Sequence, residues 1–187
     1  VSISRTARFF PNNLIFKPFI ILSAFFLFFY WKNNLKTFKN IIPSYSKKFF
    51  YFGVLSCLCL ILHAIFLGVE FDMKLFEKLR RLIIILFILF EVIAQILLTR
   101  NLYLHKLVLK DVIRPMVLKL KIFFVSFVFL LTVVSAYILT FLDPSTAFKH
   151  VLEWNYFAFL LFFYTLSFCL WKSHRDTKAS FVDIVKD

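Results

Sequence analysis

The stretch RRLIIILFILFEVIAQILLTR, at residues 80–100, limits the possible folds of this chain more than any other feature. The 18 residues between its flanking arginines contain only three polar side chains, Glu91, Gln95 and Thr99. A helix of this length, rising about 1.5 Å per residue, crosses a hydrocarbon core about 30 Å thick and places Glu91 near its midplane. Because the polar residues are spaced by four, they share one helix face. Exposing a carboxylate to lipid is costly, so this face is predicted to point into a bundle or a wet cavity.

The composition extends this interpretation to the whole chain. Of its 187 residues, 61% are apolar and 29 are Phe, and the formal charge is +13. Soluble domains are about half apolar, and no core of this size could hold so many Phe side chains. The charge could suggest nucleic acid, but the basic residues fall mainly between the apolar stretches. We therefore predict membrane lipids as partners, anionic at the cytosolic face, and no nucleic acid.

Five apolar stretches predict an all-α integral membrane helical bundle. Residues 1–172 form a single transmembrane domain in this interpretation, and residues 173–187 form a cytosolic tail. The predicted spans are residues 14–31, 49–69, 82–99, 122–142 and 154–171.

The basic residues predict how the bundle is oriented. Of the 23 Lys and Arg residues, 15 lie in residues 32–48, 100–121 and 172–187, and 8 lie in the N-terminal stretch and the two alternate connections. The positive-inside rule then places the N-terminus outside or in a lumen and the C-terminus in the cytosol.

Two of the basic connections, residues 32–48 and 100–115, have apolar residues near helical spacing. We expect both to be short amphipathic segments that lie on an anionic leaflet. Either they bind phosphoinositides specifically, or their lysines are ordinary topology charges on interfacial helices.

Polar residues inside the spans are the first candidates for a functional site. Glu91 and Gln95 could anchor neighbouring helices through hydrogen bonds, or form a proton relay, an ion site or a lipid head-group contact. His63 follows Cys59 by four residues, which would supply half of a metal site, but no second pair completes it. A polar contact from His63 to a neighbouring helix is the alternative. No other span contains a histidine to face His63 across a haem, and we predict no cofactor and no metal.

A second group of candidates lies at the predicted outer rim. His150 and Glu153 are three residues apart, so one helical turn presents both on the same side. They could hold a divalent cation or contact a lipid head group, or they could simply belong to the solvated rim and cap of the fifth helix. The whole group consists of Glu70, Asp72, Asp143, His150, Glu153 and Asn155.

The common catalytic motifs are absent from the sequence. It contains no Gly-rich phosphate loop, no G-x-S-x-G, no H-E-x-x-H and no H-x4-D. HKLVLKD has five residues between His and Asp rather than four. Whether the chain is an enzyme therefore stays open.

Several short motifs follow one another in the second half of the chain: Arg81 before Glu91, Leu98-Thr99, His105, Lys119-Leu-Lys121, and H-x-x-E-W at His150, Glu153 and Trp154. Their order resembles the Frag/DRAM/Sfk family of polytopic membrane proteins, which includes lipid-remodelling factors that act after GPI attachment. The resemblance covers about residues 80–172. Family members usually have about six spans and a longer first lumenal loop, and this chain has five predicted spans without that loop. The resemblance implies a helical membrane protein of endomembranes or plasma membrane that remodels or organises lipids, with Glu91, Glu153 and, less directly, His150 as the residues carried over.

Three functions are compatible with these features. The first is a lipid-handling or lipid-remodelling membrane protein with a polar intramembrane site around Glu91. The second is an accessory subunit of a larger membrane complex, in which Glu91, Gln95 and His63 bind neighbouring subunits. The third is a proton- or ion-coupled carrier, which Glu91 favours and the scarcity of Gly and Pro for broken helices opposes.

Overall fold

A computed structural model describes residues 11–42, 45–67, 69, 74–142 and 145–172, and the regular structure there is all α-helix. Five of these helices are long and apolar enough to cross a membrane, which confirms the predicted all-α, multi-pass membrane architecture. The predicted tail 173–187 lies outside the described residues. The helices are α1 (Asn12–Ile41), α2 (Lys48–Phe66), α3 (Lys74–Leu104), α4 (Pro115–Phe141) and α5 (Thr146–Leu170).

Helix α1 is much longer than the span predicted for it. It has 30 residues, or about 45 Å of rise, and it continues to Ile41 without a break. The first half of the basic segment 32–48 is thus an extension of α1 rather than a separate helix on the membrane surface. Pro18 lies inside this helix, beyond its first turn, because α1 begins at Asn12.

The second basic connection differs from the prediction as well. Residues 105–112 form successive turns instead of an amphipathic helix. Leu109 and Ile113 are buried there, whereas Leu107 is 81% exposed. A short antiparallel pairing then joins this connection to the end of α5, since the Arg114 backbone N–H donates to the Leu170 carbonyl at 2.9 Å.

Helices α4 and α5 each begin several residues before their predicted spans. Pro115 occupies the first turn of α4, where the missing N–H of proline costs nothing. Ser145 caps α5, because its hydroxyl accepts a hydrogen bond from the Phe148 backbone N–H at 3.3 Å. Residues assigned to the outer rim and to the cytosolic connection therefore belong to these two helices.

Helix α3 lies between two hydrophobic clusters. The larger cluster is built mainly from α1, α2 and α3, with Trp31, Phe49 and Leu98, and it also contains Leu118 of α4 and Leu170 of α5. The smaller one joins α3 to α4 and α5 through Val92 and Phe163, among others. Helices α2 and α3 are correspondingly the most buried of the five, and the outer helices expose most of their apolar side chains.

A single glycine allows the close approach of α1 and α2. Gly53 is buried in α2, and a Cβ atom at this position would overlap the indole ring of Trp31. Trp31 is itself fully buried and packs near Phe49. The close contact therefore depends on the absence of a side chain at residue 53.

Candidate functional site

All five helices contribute to one group of polar side chains in the middle of the bundle, which we call the Glu91 network. Its hydrogen bonds connect helices that are distant in sequence. Glu91, Gln95, Ser56 and Lys121 are all completely buried. The members are Tyr30 of α1, Ser56 of α2, Glu91 and Gln95 of α3, Lys121 of α4, and Tyr164 and Ser167 of α5.

The Glu91 carboxyl group ties three helices together. The Tyr164 hydroxyl donates to Oε1 at 2.6 Å, and the Gln95 amide donates to the same oxygen at 3.1 Å. Ser56 Oγ lies 2.9 Å from Oε2 and 2.8 Å from the Gly53 carbonyl, so the single hydroxyl hydrogen of Ser56 can serve either oxygen. The predicted polar face of α3 thus points into the bundle and contacts both α2 and α5.

Ser167 forms the second junction of the network. Its hydroxyl accepts hydrogen bonds from Tyr30 Oη, at 2.8 Å, and from Lys121 Nζ, and it donates to the Phe163 carbonyl at 2.8 Å. A hydroxyl has one hydrogen and two lone pairs, and all three are used here. Ser167 therefore holds α1 and α4 against α5.

The two junctions are adjacent. The rings of Tyr30 and Tyr164 meet edge to face with their centroids 5.1 Å apart, so the phenol groups of the two junctions pack on each other. Lys121 and Glu91, two groups of opposite formal charge, are both completely buried in this region. Because charge interactions are strong in a poorly hydrated interior, each of these groups compensates in part for the burial of the other.

Two buried polar atoms of this region, Trp31 Nε1 and Gln95 Oε1, make no hydrogen bond of standard geometry in the described part of the chain. Trp31 nevertheless lies close to Glu91, and Gln95 lies close to Tyr30. Both atoms therefore belong to the polar surroundings of the network.

His63, the third intramembrane candidate, is buried but does not take part in the hydrogen bonds around Glu91 described above. It lies seven residues beyond Ser56 along α2, which is about 10 Å of helical rise. No group of three potential metal ligands occurs within the described ranges.

The outer-rim candidates are only partly brought together. His150 and Asn155 line one shallow depression on α5, about 390 Å³ in volume, beside Trp154, and Glu153 does not line it. The Asn155 amide donates to the Val151 carbonyl of its own helix at 2.8 Å. Asp143 lies outside the described residues.

A larger cleft lies where the basic extension of α1 meets the start of α2; we call it the lysine cleft. Its volume is about 910 Å³. Four lysines, two tyrosines and an asparagine line it together with apolar side chains. The lining residues are Phe29, Lys32, Asn33, Leu35, Lys36, Lys39, Ile42, Tyr45, Lys47, Phe50 and Tyr51.

The lysines of the cleft are arranged by helical spacing. Lys32, Lys36 and Lys39 follow the i, i+4, i+7 pattern, so they form a row about 10 Å long on one face of α1. Lys47 comes from the connection to α2, and all four side chains are exposed. The sequence contains no Asp or Glu before Glu70, so neither α1 nor α2 carries an acidic residue that could neutralise them.

The described residues between α1 and α2, which border the cleft, are held by neighbouring structure. The Asn101 amide of α3 donates to the Ser46 carbonyl at 2.8 Å. Tyr45 packs against Phe38, with ring centroids 5.9 Å apart, and Ile42 is buried in the larger cluster. The floor of the cleft is therefore apolar and anchored, while its rim is cationic.

Comparison with known proteins adds no relative: no family model, no curated protein and no solved structure matches the chain.

Sequence reasoning located Glu91 and Gln95 but missed most of their partners. Tyr30, Ser56, Tyr164 and Ser167 are isolated polar residues on apolar helices, and nothing in their spacing shows which helix they face. Lys121 was assigned to a cytosolic connection, but it lies in the second turn of α4 and is completely buried. Lys121 directly precedes a long apolar run. This position was a signal that it could belong to the helix and be buried with it.

Proposed function

We propose that this protein handles membrane lipids and that the lysine cleft is its contact with lipid head groups. The observation that carries this proposal is the cleft between the end of α1 and the start of α2, which has a cationic rim and an apolar floor. The rim suits an anionic head group, and the floor suits the adjoining glycerol and acyl region. Basic pockets between transmembrane helices are a recurrent form of lipid head-group site.

The position of the cleft along α1 supports this proposal. The 30 residues of α1 exceed the roughly 20 that a bilayer requires, so its basic C-terminal third projects to the level of the head groups. The positive-inside bias places this end in the cytosol, and moving buried Lys121 out of the count leaves that bias in place. The N-terminus is then outside or in a lumen.

The Glu91 network has a different role in this proposal. Glu91 is completely enclosed by protein, so it organises the bundle beneath the cleft rather than contacting a lipid directly. The resemblance to the Frag/DRAM/Sfk family supports lipid remodelling or lipid organisation. On the basis of this resemblance, Glu91, His150 and Glu153 are also proposed as functional residues.

Gentle extraction into native nanodiscs, followed by mass spectrometry of the intact particle and its lipids, tests the proposal. A monomer or homo-oligomer enriched in one lipid class relative to the surrounding membrane would support it. Particles whose lipids match the bulk membrane would overturn it. Co-purification of other chains at fixed stoichiometry, with no enriched lipid, would establish the accessory-subunit alternative instead.

A second candidate function is a proton-coupled carrier. The two ionisable groups buried inside the bundle, Glu91 and Lys121, favour it. In proteoliposomes with an imposed pH gradient, a carrier would move protons, and Glu91→Gln would abolish that flux. Equal proton permeability of wild-type, Glu91→Gln and protein-free vesicles would exclude this function.

A further inference from the structure

The charge and dimensions of the lysine cleft define its ligand more closely. Lys32, Lys36 and Lys39 lie along about 10 Å of α1, and Lys47 adds a fourth ammonium group from the connection to α2. A lipid with a single phosphodiester and no net excess charge would leave most of these groups unpaired. The cleft therefore suits a head group that carries several negative charges spread over a comparable distance.

The type of cation and the volume of the cleft also favour a head group with several negative charges. Lysine ammonium groups act as compact point charges that bind phosphate oxygens from any direction, whereas arginine favours planar, bidentate pairs. The volume of about 910 Å³ is near the upper end of the range for small-molecule sites, about 300–1,000 Å³, and exceeds the needs of one phosphate. Asn33, Tyr45 and Tyr51 add neutral hydrogen-bonding groups of the kind that a polyol ring requires.

We propose that the lysine cleft binds the head group of a phosphorylated inositol phospholipid. This inference rests on the proposed lipid-handling function and names its lipid class. The phosphate monoesters pair with the lysine row on α1 and with Lys47 from the connection to α2. The apolar side chains on the membrane side of the row, Phe29 of α1 and Phe50 of α2, receive the part of the lipid that enters the membrane.

The test is a binding measurement in phosphatidylcholine nanodiscs that contain the full chain. One set contains phosphatidylinositol bisphosphate, and a second contains phosphatidylserine at the same total charge. A third contains only phosphatidylcholine with soluble inositol trisphosphate added. Native mass spectrometry then counts the anionic ligands that stay bound to the protein.

A matched pair of variants separates the cleft from general electrostatics. The cleft variant is Lys32→Gln/Lys36→Gln/Lys39→Gln. The control variant is Lys106→Gln/Lys110→Gln/Lys119→Gln, which removes the same charge from exposed lysines between the end of α3 and the start of α4. A hydrogen bond to a charged group contributes about tenfold in affinity, and only the cleft lysines make such bonds with the bound head group, so the cleft variant is expected to lose at least on the order of one hundredfold more than the control.

The expected result is preferential retention of the bisphosphate lipid over phosphatidylserine by the wild-type and control proteins, and loss of this preference in the cleft variant. Equal retention of the two lipids at equal charge, or equal losses in both variants, would overturn the inference. Binding of soluble inositol trisphosphate as tight as that of the lipid would also overturn it by identifying a water-soluble ligand. If native nanodiscs show a different enriched lipid, this inference fails while the lipid-handling function stands; if no lipid is enriched, both fail.

Discussion

The Glu91 network and the lysine cleft are two ways of placing charge in a membrane protein. In the network, every charged group is enclosed and held by side chains from other helices. In the cleft, four lysines lie exposed on the rim, and no acidic residue of the same two helices opposes them. Buried groups that have hydrogen-bond partners on other helices hold the bundle together. Exposed charged groups without such partners are available to a ligand.

The largest expected effect comes from removing the centre of the network. Glu91→Leu leaves the hydroxyl of Tyr164 and the amide of Gln95 without their acceptor, and it leaves the Lys121 charge uncompensated. Loss of one member of a buried charged pair typically costs about 3–5 kcal/mol, so we expect a loss of about 3 kcal/mol in the free energy of unfolding in bicelles. Glu91→Gln retains the shape and one acceptor oxygen, and it should lose about 1 kcal/mol. Wild-type stability of Glu91→Leu would show that the network does not hold the bundle together.

The next prediction concerns whether the buried groups Glu91 and Lys121 stabilise each other. Lys121→Met replaces the buried ammonium group by an apolar chain of similar length, and it should destabilise the protein when Glu91 is present. The double variant Glu91→Leu/Lys121→Met contains neither buried charge. In the Glu91→Leu background, Lys121→Met should therefore lower the free energy of unfolding by about 1 kcal/mol less than it does in the wild type. Strictly additive losses in this double-mutant cycle would show that the charges are independent.

A moderate effect is expected where α1 and α2 meet beside the network. The methyl group of Gly53→Ala would overlap the Trp31 ring, and overpacking of this kind costs about 1–3 kcal/mol. Leu58→Ala, on the exposed side of the same helix, is the control and should be nearly neutral. The measurement is thermal unfolding in detergent, followed by tryptophan fluorescence. Equal stability of Gly53→Ala and wild type would mean that the helices separate there without cost.

The smallest effect is expected at the outer rim. His150→Ala and Asn155→Ala remove side chains from a shallow depression on a single helix, so each should change the free energy of unfolding by less than about 0.5 kcal/mol. Lipid retention in native nanodiscs is the functional readout. Loss of the enriched lipid in either variant, with normal insertion, would move the functional site from the cleft to this end of α5.

The sequence was sufficient for the membrane class, for five helices and for the inward polar face of α3, because each follows from length, hydropathy and the cost of charge in lipid. The ends of the helices were less predictable. Residues 32–41 read as a surface segment because they are basic, yet nothing in them ends a helix, so α1 simply continues. The lysines of that extension were counted as topology charges. That they line one cleft together with Lys47 depends on how α1 packs against α2, which the sequence does not specify.

The partners of Glu91 could not be predicted for a different reason. A lone Tyr or Ser on an apolar helix contacts whichever neighbour the rotation of that helix allows, and the amphipathic pattern of a membrane span is too weak to fix this rotation. Lys121 was assigned to a connection because lysine usually marks the end of a span. Here its ammonium group lies inside the bundle and donates a hydrogen bond to Ser167.

The unequal apolar lengths of neighbouring helices have a consequence for the lipids around them. Lys17 and Lys32 are 15 residues apart on α1, about 22 Å of rise, whereas the arginines that flank the apolar part of α3 are separated by about 28 Å. A short apolar stretch is accommodated by local thinning of the bilayer and by lysines that extend toward the interface. Thinning beside α1 would lower the phosphate layer toward Lys32 and so bring the head-group region of that leaflet to the level of the lysine cleft.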